Sequence, residues 1–379
     1  AVHPGRSRHT HASLHILIEA RRPRKARVVN RVGHPVALAQ RLPRLWYRKP
    51  LAPSLYPLLP LSWLFRGLVC LRRGLYGLGV MRSCRLPVPV VVVGNLTVGG
   101  SGKTPLVLWL VDELRAHGWR PGIISRGYGG ASDGETIVRG DSDARVVGDE
   151  PLLLAERSRA PVVVGRDRVA AGRALLAAHP ECDVIISDDG LQHYRLQRAV
   201  ELVVFDGRGG GNQRMLPAGP LREPMRRLNS VTALVWNGGA VAQTEHRVAP
   251  PQFRMMLSGH RFSALSDTSR QCSADDLRGR RLFAIAGIGD PSRFFAQLAR
   301  FGLEFEAHPF PDHHRYQAED LAFARDGVLL MTEKDAVKCA AIDLGEAWVL
   351  PVAATIEPAH DGTTLLGTIL EKLDGRTPA

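Results

Sequence analysis

The stretch Thr97-Val98-Gly99-Gly100-Ser101-Gly102-Lys103-Thr104 combines glycines, a lysine and a hydroxyl in the order that phosphate binding requires. Glycines let consecutive backbone N–H groups turn inward on a polyphosphate at a helix N-terminus. Lys103 is then placed to reach the β- and γ-phosphates, and the Thr104 hydroxyl to serve Mg2+. The flanks agree: Val88 to Val93 reads as a buried parallel strand, and Pro105 opens a helical pattern where its missing N–H costs nothing. Thr97 stands where the strict G-x-x-x-x-G-K-T spacing has glycine, so this is a variant loop. It points strongly to a nucleotide and only weakly to a reaction.

Such a loop needs a carboxylate on a neighbouring strand to hold the metal. Cys182-Asp-Val-Ile-Ile-Ser187-Asp188-Asp189-Gly190 supplies two at the end of an apolar strand, where an open α/β sheet gathers its ligands. Gln192 and His193 follow directly. A second acidic pair, Asp149-Glu150, precedes a helical pattern, where Asp149 reads equally as a plain helix cap. Two cationic turns follow apolar strands: Ser125-Arg126-Gly127-Tyr128 and Gly165-Arg166-Asp167-Arg168. Each has the chemistry to neutralise a transferring phosphoryl group, and each is also an ordinary solvated loop charge. Asp312-His313-His314 is a polar turn too sparse in ligands for zinc. In Thr332-Glu333-Lys334-Asp335 lysine and aspartate are adjacent, which is the wrong spacing for a guanine-reading N-K-x-D element.

The elements that carry these residues differ in composition along the chain. Its 379 residues, 45% apolar and 23% charged, have a globular balance and room for about two domains. Five scattered cysteines exclude a disulfide framework or a zinc ribbon and fit a reducing compartment. Residues 1–85 carry 17 Lys and Arg against a single acid, Glu19, whereas the other 294 carry 33 against 36. A nucleic-acid enzyme would spread its basic surface onto the core, so no nucleic-acid partner is expected. No obligate protein partner is indicated either. Residues 1–40 read as a basic extension without a core, expected to be disordered. In 41–85, arginines alternate with Leu, Trp and Tyr, and Leu61, Leu64, Phe65, Leu68, Leu71, Leu75 and Leu78 recur at helical spacing. Pro53, Pro57 and Pro60 place the helix start near Leu61. A basic amphipathic helix with Trp46, Tyr47, Trp63 and Tyr76 is the pattern of a segment lying on an anionic membrane surface, and packing on the core is the other reading. Uncharged apolar runs fall short of the ~18 residues of an ordinary transmembrane helix.

From about Arg41 to Lys338 the chain closely resembles the tetraacyldisaccharide 4'-kinases, which phosphorylate the lipid A precursor. The resemblance rests on Val93-Gly94-Asn95 through Pro105, Ser125 to Gly129, Gly148-Asp-Glu-Pro151, Asp188 to His193, Leu216 to Glu223, Ala286-Gly-Ile-Gly289 and Thr332 to Lys338, in family order. It implies ATP- and Mg2+-dependent transfer of the γ-phosphoryl group to the 4'-hydroxyl of an acylated glucosamine disaccharide 1-phosphate. The implied site is at the cytoplasmic face of the bacterial inner membrane, reached peripherally through the N-terminal helix. The implied fold is α/β, a P-loop NTPase-like core with a mostly parallel sheet plus a second, smaller α/β domain. Residues 41–85 would be the membrane-associated segment, 86–240 the kinase core, and 241–379 the smaller domain with a linker. By the same resemblance Asp149 is the base and His313 its partner, with His314 adjacent. Glu150 is an auxiliary carboxylate and Arg168 the charge stabiliser, while Asp188 and Asp189 with Thr104 hold Mg2+. Asn95, Ser125, Arg126, Tyr128, Gln192 and His193 are acceptor candidates. A competing reading is a partitioning ATPase with a G-G-x-G-K-T loop, but the signature lysine of that class is replaced here by Thr97 and Val98.

Overall fold

Four consecutive valines, Val90 to Val93, are fully or almost fully buried, because a strand between two parallel neighbours has no solvent face and selects β-branched side chains on both sides. In the computed structural model this strand sits near the middle of the larger of two sheets. The structure describes residues 27–28, 38–48, 50–127, 130, 134–238 and 250–374, without the side chains of 27–28 and 38–41.

In chain order the elements begin with β1 (Arg27–Val28), α1 (Leu38–Trp46), a 3-10 turn (Pro53–Leu58), α2 (Leu59–Gly77), β2 (Val90–Gly94) and α3 (Lys103–Ala116). Then come β3 (Pro121–Ser125), β4 (Thr136–Val138), α4 (Ala144–Val147), α5 (Asp149–Ser158), β5 (Val162–Val164), α6 (Arg168–Ala178), β6 (Val184–Asp188) and β7 (Val200–Asp206). They continue with β8 (Ala233–Asn237), β9 (Gln252–Ser258), β10 (Phe262–Ala264), β11 (Gln271–Cys272), β12 (Leu282–Ala286) and α7 (Pro291–Arg300). The last are β13 (Phe305–Pro309), β14 (Val328–Thr332), α8 (Glu333–Cys339), β15 (Ala347–Leu350), β16 (Ala353–Glu357) and α9 (Leu365–Asp374).

The larger sheet has the order β16-β9-β8-β7-β2-β6-β3-β5-β4, parallel except at its two edge strands. The smaller runs β1-β13-β12-β14-β15-β10-β11, with a parallel centre of β13, β12, β14 and β15. The fold is thus the expected one, a mostly parallel P-loop-type sheet accompanied by a smaller α/β unit. The boundary expected near residue 240 does not match the sheets. β9, β16 and α9 all belong with the larger one, since β16 pairs antiparallel with β9 (Ala353 opposite Ser258) and α9 contributes Leu365, Ile369 and Leu373 to its core. The chain therefore crosses to the smaller sheet after Ser258 and returns after Leu350. Of residues 1–40, only 27–28 and 38–40 are described, the former pairing with β13 and the latter opening α1; the rest of the expected basic extension lies outside the described residues.

Helix α2 starts two residues before the position expected from the prolines. Ser62, Phe65 and Val69 turn toward the protein, while Leu61, Trp63, Leu64, Leu68, Leu71 and Leu78 face outward. The segment Pro53–Gly77 is long and apolar enough to pass as a membrane span by length and hydropathy. Arg66, Arg72 and Arg73 interrupt this stretch, which is apolar only on average. Three of the four expected interfacial aromatics are instead engaged by the chain. The Trp46 indole donates to Pro217 O at 3.0 Å, Tyr47 lies under the Arg208 guanidinium, and Tyr76 packs on Tyr194. Trp63 alone of the four is exposed, at 60%.

Candidate active site

A parallel sheet directs all its strand-to-helix turns to one end, so β2, β3, β5, β6, β7 and β8 deliver their following residues to the same rim. The β2 turn is the phosphate loop. Asn95 Nδ2 donates to Gly99 O at 3.1 Å, Val98 N to Pro220 O at 2.9 Å, and Asn237 Nδ2, at the end of β8, to Ser101 O at 3.0 Å. Thr97 is buried and bridged to Leu221. Gly102 has φ +92°, and a Cβ there would collide with the Asn237 amide, so both conformation and space require glycine. Ser101 is buried and its hydroxyl has no partner among the described residues.

Lys103 opens α3 with its Nζ 3.5 Å from Asp189 Oδ1. Arg222 Nη1 lies 3.1 Å from both oxygens of the same carboxylate. Burial alone would raise the Asp189 carboxyl, but Lys103 and Arg222 outweigh it and hold it low. Asp188 ends β6 opposite Val93, so register sets it beside the root of the phosphate loop. Its Oδ2 accepts from Ser125 Oγ at 3.2 Å and its Oδ1 has no partner among the described residues. Burial, followed by the negative charge of Glu150, pushes the Asp188 carboxyl up to about 7. An orphaned buried carboxylate oxygen, an ionised neighbour and the Thr104 hydroxyl are hard oxygen donors of the kind Mg2+ takes alongside phosphates. Among the described residues no cluster of three or more His, Cys, Asp or Glu forms an all-protein cage, which suits that ion.

The second half of the site joins α5, which packs on the larger sheet, to residues carried by the smaller unit. Gly148, not Asp149, caps α5, so Asp149 is free of the capping role that its position allowed. Its carboxylate accepts from Glu150 N at 3.0 Å and meets His313 Nδ1 at 3.1 Å from each oxygen. His313 lies between β13 and β14 at φ +58°, whereas the adjacent His314 is bonded to Asp320 at 3.0 Å. Lys334, in the first turn of α8, places Nζ 2.9 Å from Glu150 Oε1, 3.0 Å from Asp312 Oδ1 and 3.9 Å from Asp149 Oδ2. Burial would raise the Asp149 carboxyl, but the His313 hydrogen bond and then the Lys334 charge outweigh it and bring it below its ordinary value. The same hydrogen bond lifts the His313 imidazole against burial. Burial disfavours the Lys334 ammonium, but Glu150, Asp312 and Asp149 together reverse this and raise it. A cleft of about 570 Å³ opens here, with Asp149 and His313 in its wall.

The smaller unit also touches the phosphate loop. A Cβ on Gly289 would lie 3.0 Å from Gly100 N, and Arg293 Nη2 donates to Asn237 Oδ1 at 2.8 Å, while Asn237 holds Ser101.

Not every expected residue faces this space. Arg168 is buried with its two Nη groups on Gly165 O (2.8 Å) and Asp188 O (3.2 Å); burial draws its pKa down to about 10. It braces the end of β6 through backbone carbonyls. Asn95 is fully buried and serves the loop itself. His193 turns toward Asp167 at 3.6 Å, and burial pulls its imidazole down to about 4. Gln192 bridges Asn95 O (3.3 Å) and Glu223 Oε1 (3.0 Å). Ser125 is spent on Asp188, Arg126 is exposed, and Tyr128 lies outside the described residues. Lys334, Asp312 and Arg222 were given no role from sequence. The signal was present, since Lys334 and Arg222 fall within two of the family-like motifs.

Comparison with known proteins gives a consistent result. A family model described as LpxK, tetraacyldisaccharide-1-P 4'-kinase, matches residues 55–370. A tetraacyldisaccharide 4'-kinase of Dechloromonas aromatica is 55% identical over 344 residues, covering 90% of this chain and 100% of the relative. One from Azoarcus sp. is 53% identical, covering 89% and 97%. A crystal structure of LpxK from Aquifex aeolicus in complex with ATP superposes with a TM-score of 0.72 at 32% identity, covering 84% of this chain and 99% of that one.

Proposed function

This chain belongs to the tetraacyldisaccharide-1-P 4'-kinase family, and we propose that it runs its phosphoryl transfer where the two sheets meet. The reaction moves the γ-phosphoryl group of ATP to the 4'-hydroxyl of a tetraacyldisaccharide 1-phosphate in lipid A biosynthesis; the partitioning-ATPase reading is not favoured by any comparison. The observation that carries the mechanism is Asp149, buried and bonded through both oxygens to His313, which helps to hold its carboxyl below the ordinary value.

Asp149 orients the 4'-hydroxyl and accepts its proton. His313 fixes the direction of that carboxylate, and Lys334 draws Asp149, Glu150 and Asp312 to one point. The inward N–H groups of Val98 to Thr104 hold the triphosphate, with Lys103 on the β- and γ-phosphates. Thr104, Asp188 and Asp189 would hold Mg2+, whose charge would offset the negative charge of the phosphates. Arg168 acts through Asp188, whose carbonyl it grips. Arg126, exposed at the end of β3, is free to meet the acceptor. A positioned base of this kind contributes about 10²–10⁴ in rate.

The segment 41–85 lies in an anionic membrane interface at the cytoplasmic face of the inner membrane, peripherally rather than across it. The outward leucines and Trp63 support this. Each would gain roughly 1.5–3 kcal/mol from full burial, and each arginine near anionic lipid adds about 1 kcal/mol. A face packed on the core would already have taken that gain.

The test uses ATP labelled in its γ-phosphate, with detergent-dispersed tetraacyldisaccharide 1-phosphate or without acceptor. Label entering the lipid fraction only when acceptor is present is the expected result. Label released as free phosphate at one rate in both tubes would contradict the kinase mechanism.

A further inference from the structure

A pocket of about 200 Å³ lies between α2 and the 213–226 loop. Its walls include Trp63, Arg66, Gln213, Arg214, Met215 and Arg226, and no carboxylate lines it. The three arginines come from α2 and from two points of the 213–226 loop, all three are exposed, and none is paired with a carboxylate among the described residues. Arg226 Nη2 donates to Cys70 Sγ at 2.9 Å. Like charges converging without a counter-ion cost energy unless an anion completes the site.

The pocket has a fixed floor. Ser62, buried on α2, donates its hydroxyl to Met215 O at 2.7 Å and so locks the helix onto the loop. Gln213, at φ +58°, turns the backbone just ahead of Arg214. The loop then runs straight to the phosphate site. Leu221 N donates to Arg214 O at 3.1 Å, Arg222 N donates to Leu96 O at 2.7 Å, and the Arg222 side chain holds Asp189. Trp63, exposed by 60%, stands in the wall beside the arginines. Arginine forks suit phosphate oxygens bidentately, and an exposed tryptophan suits the headgroup level of a bilayer.

We propose that Arg66, Arg214 and Arg226 form a binding subsite for one phosphate group carried by a lipid at the bilayer surface. The site rests on the membrane-interface reading of α2. Two lipids offer this chemistry: an anionic phospholipid of the bilayer, and the acceptor through its own 1-phosphate.

The experiment compares the full chain with R214Q/R226Q and with R82Q/R85Q, a control pair that removes the same charge from exposed positions just beyond α2. One arm measures co-sedimentation, without acceptor, with vesicles of phosphatidylcholine alone or mixed with phosphatidylglycerol. The other measures KM and kcat for acceptor dispersed in neutral detergent. Generic attraction costs the control pair roughly 30-fold on the anionic vesicles, from about 1 kcal/mol per arginine. The pocket pair is expected to lose about tenfold more, with an unchanged melting curve, because charge-assisted bidentate bonds go as well. An excess loss on vesicles assigns the phosphate to a phospholipid, and a raised KM with kcat kept assigns it to the acceptor. R214K/R226K, which retains charge but not the fork, should recover only part of the loss. Equal losses for the two pairs in both arms would overturn the subsite. Failure of the unmodified protein to bind either vesicle would remove the membrane reading instead, and the detergent arm would then decide the subsite alone.

Discussion

The junction around Asp149 and the outward face of α2 are both rich in charge, yet they are built in opposite ways. At the junction charged groups pair with one another inside the chain: Asp149 has His313, Lys334 has Glu150 and Asp312, and Asp189 has Lys103 and Arg222. On α2, Arg66 and its neighbours stand beside exposed leucines with no carboxylate near the pocket they share. The difference teaches where each region's missing partner lies. The first is largely neutralised from within; the second presents its cations outward.

If the junction is a reaction centre, Asp149→Ala should have the largest effect, lowering kcat by about 10²–10⁴ while the ATP dissociation constant stays within a few-fold. Steady-state kinetics beside nucleotide titration decides this; lost ATP binding with normal residual turnover would make Asp149 a structural or metal group. On the other side of the comparison, replacing Trp63, Leu64 and Leu68 by serine should cut affinity for anionic vesicles by roughly 10²-fold without lowering the melting midpoint, because these side chains are already in water. A fall in the midpoint would show that they are packed after all. Lys334→Met leaves three carboxylates facing one another. It should lower stability by about 2 kcal/mol, less than the ~3–5 kcal/mol of a fully buried pair because the cluster is partly solvated, as read from the denaturant midpoint.

The smallest effect sharpens the electrostatics. Asp149 acts ionised, and in the intact protein the acid limb of kcat/KM should fall below the ordinary carboxylate range, since its carboxyl is held low. His313→Ala removes the largest influence opposing burial, so the Asp149 carboxyl rises and the acid limb moves to higher pH. An acid limb that stays put would mean that a different group carries it.

What sequence reading captured follows from locality. The phosphate loop and the Asp188-Asp189 pair each sit within one strand-turn unit, so residue types and spacing sufficed. The Asp149–His313 contact joins residues 164 apart in two sheets, and only the family resemblance connected them. Lys334 was passed over because its role is to neutralise carboxylates on another element, which no local spacing shows. Trp46 and Tyr47 were misplaced for a related reason. Aromatic and basic residues alternate in the same way whether they cover lipid or the chain's own Pro217 and Arg208. Membership of β16 in the larger sheet was invisible because its partner β9 lies across the whole smaller unit.

The central claim is that Asp149 and His313 work as one proton-accepting unit assembled across the two sheets. A double-mutant cycle on kcat/KM with Asp149→Ala, His313→Ala and the combined variant tests it most directly. The account predicts that the double variant is hardly slower than Asp149→Ala alone, because the imidazole has nothing left to orient. Losses that simply multiply would contradict it.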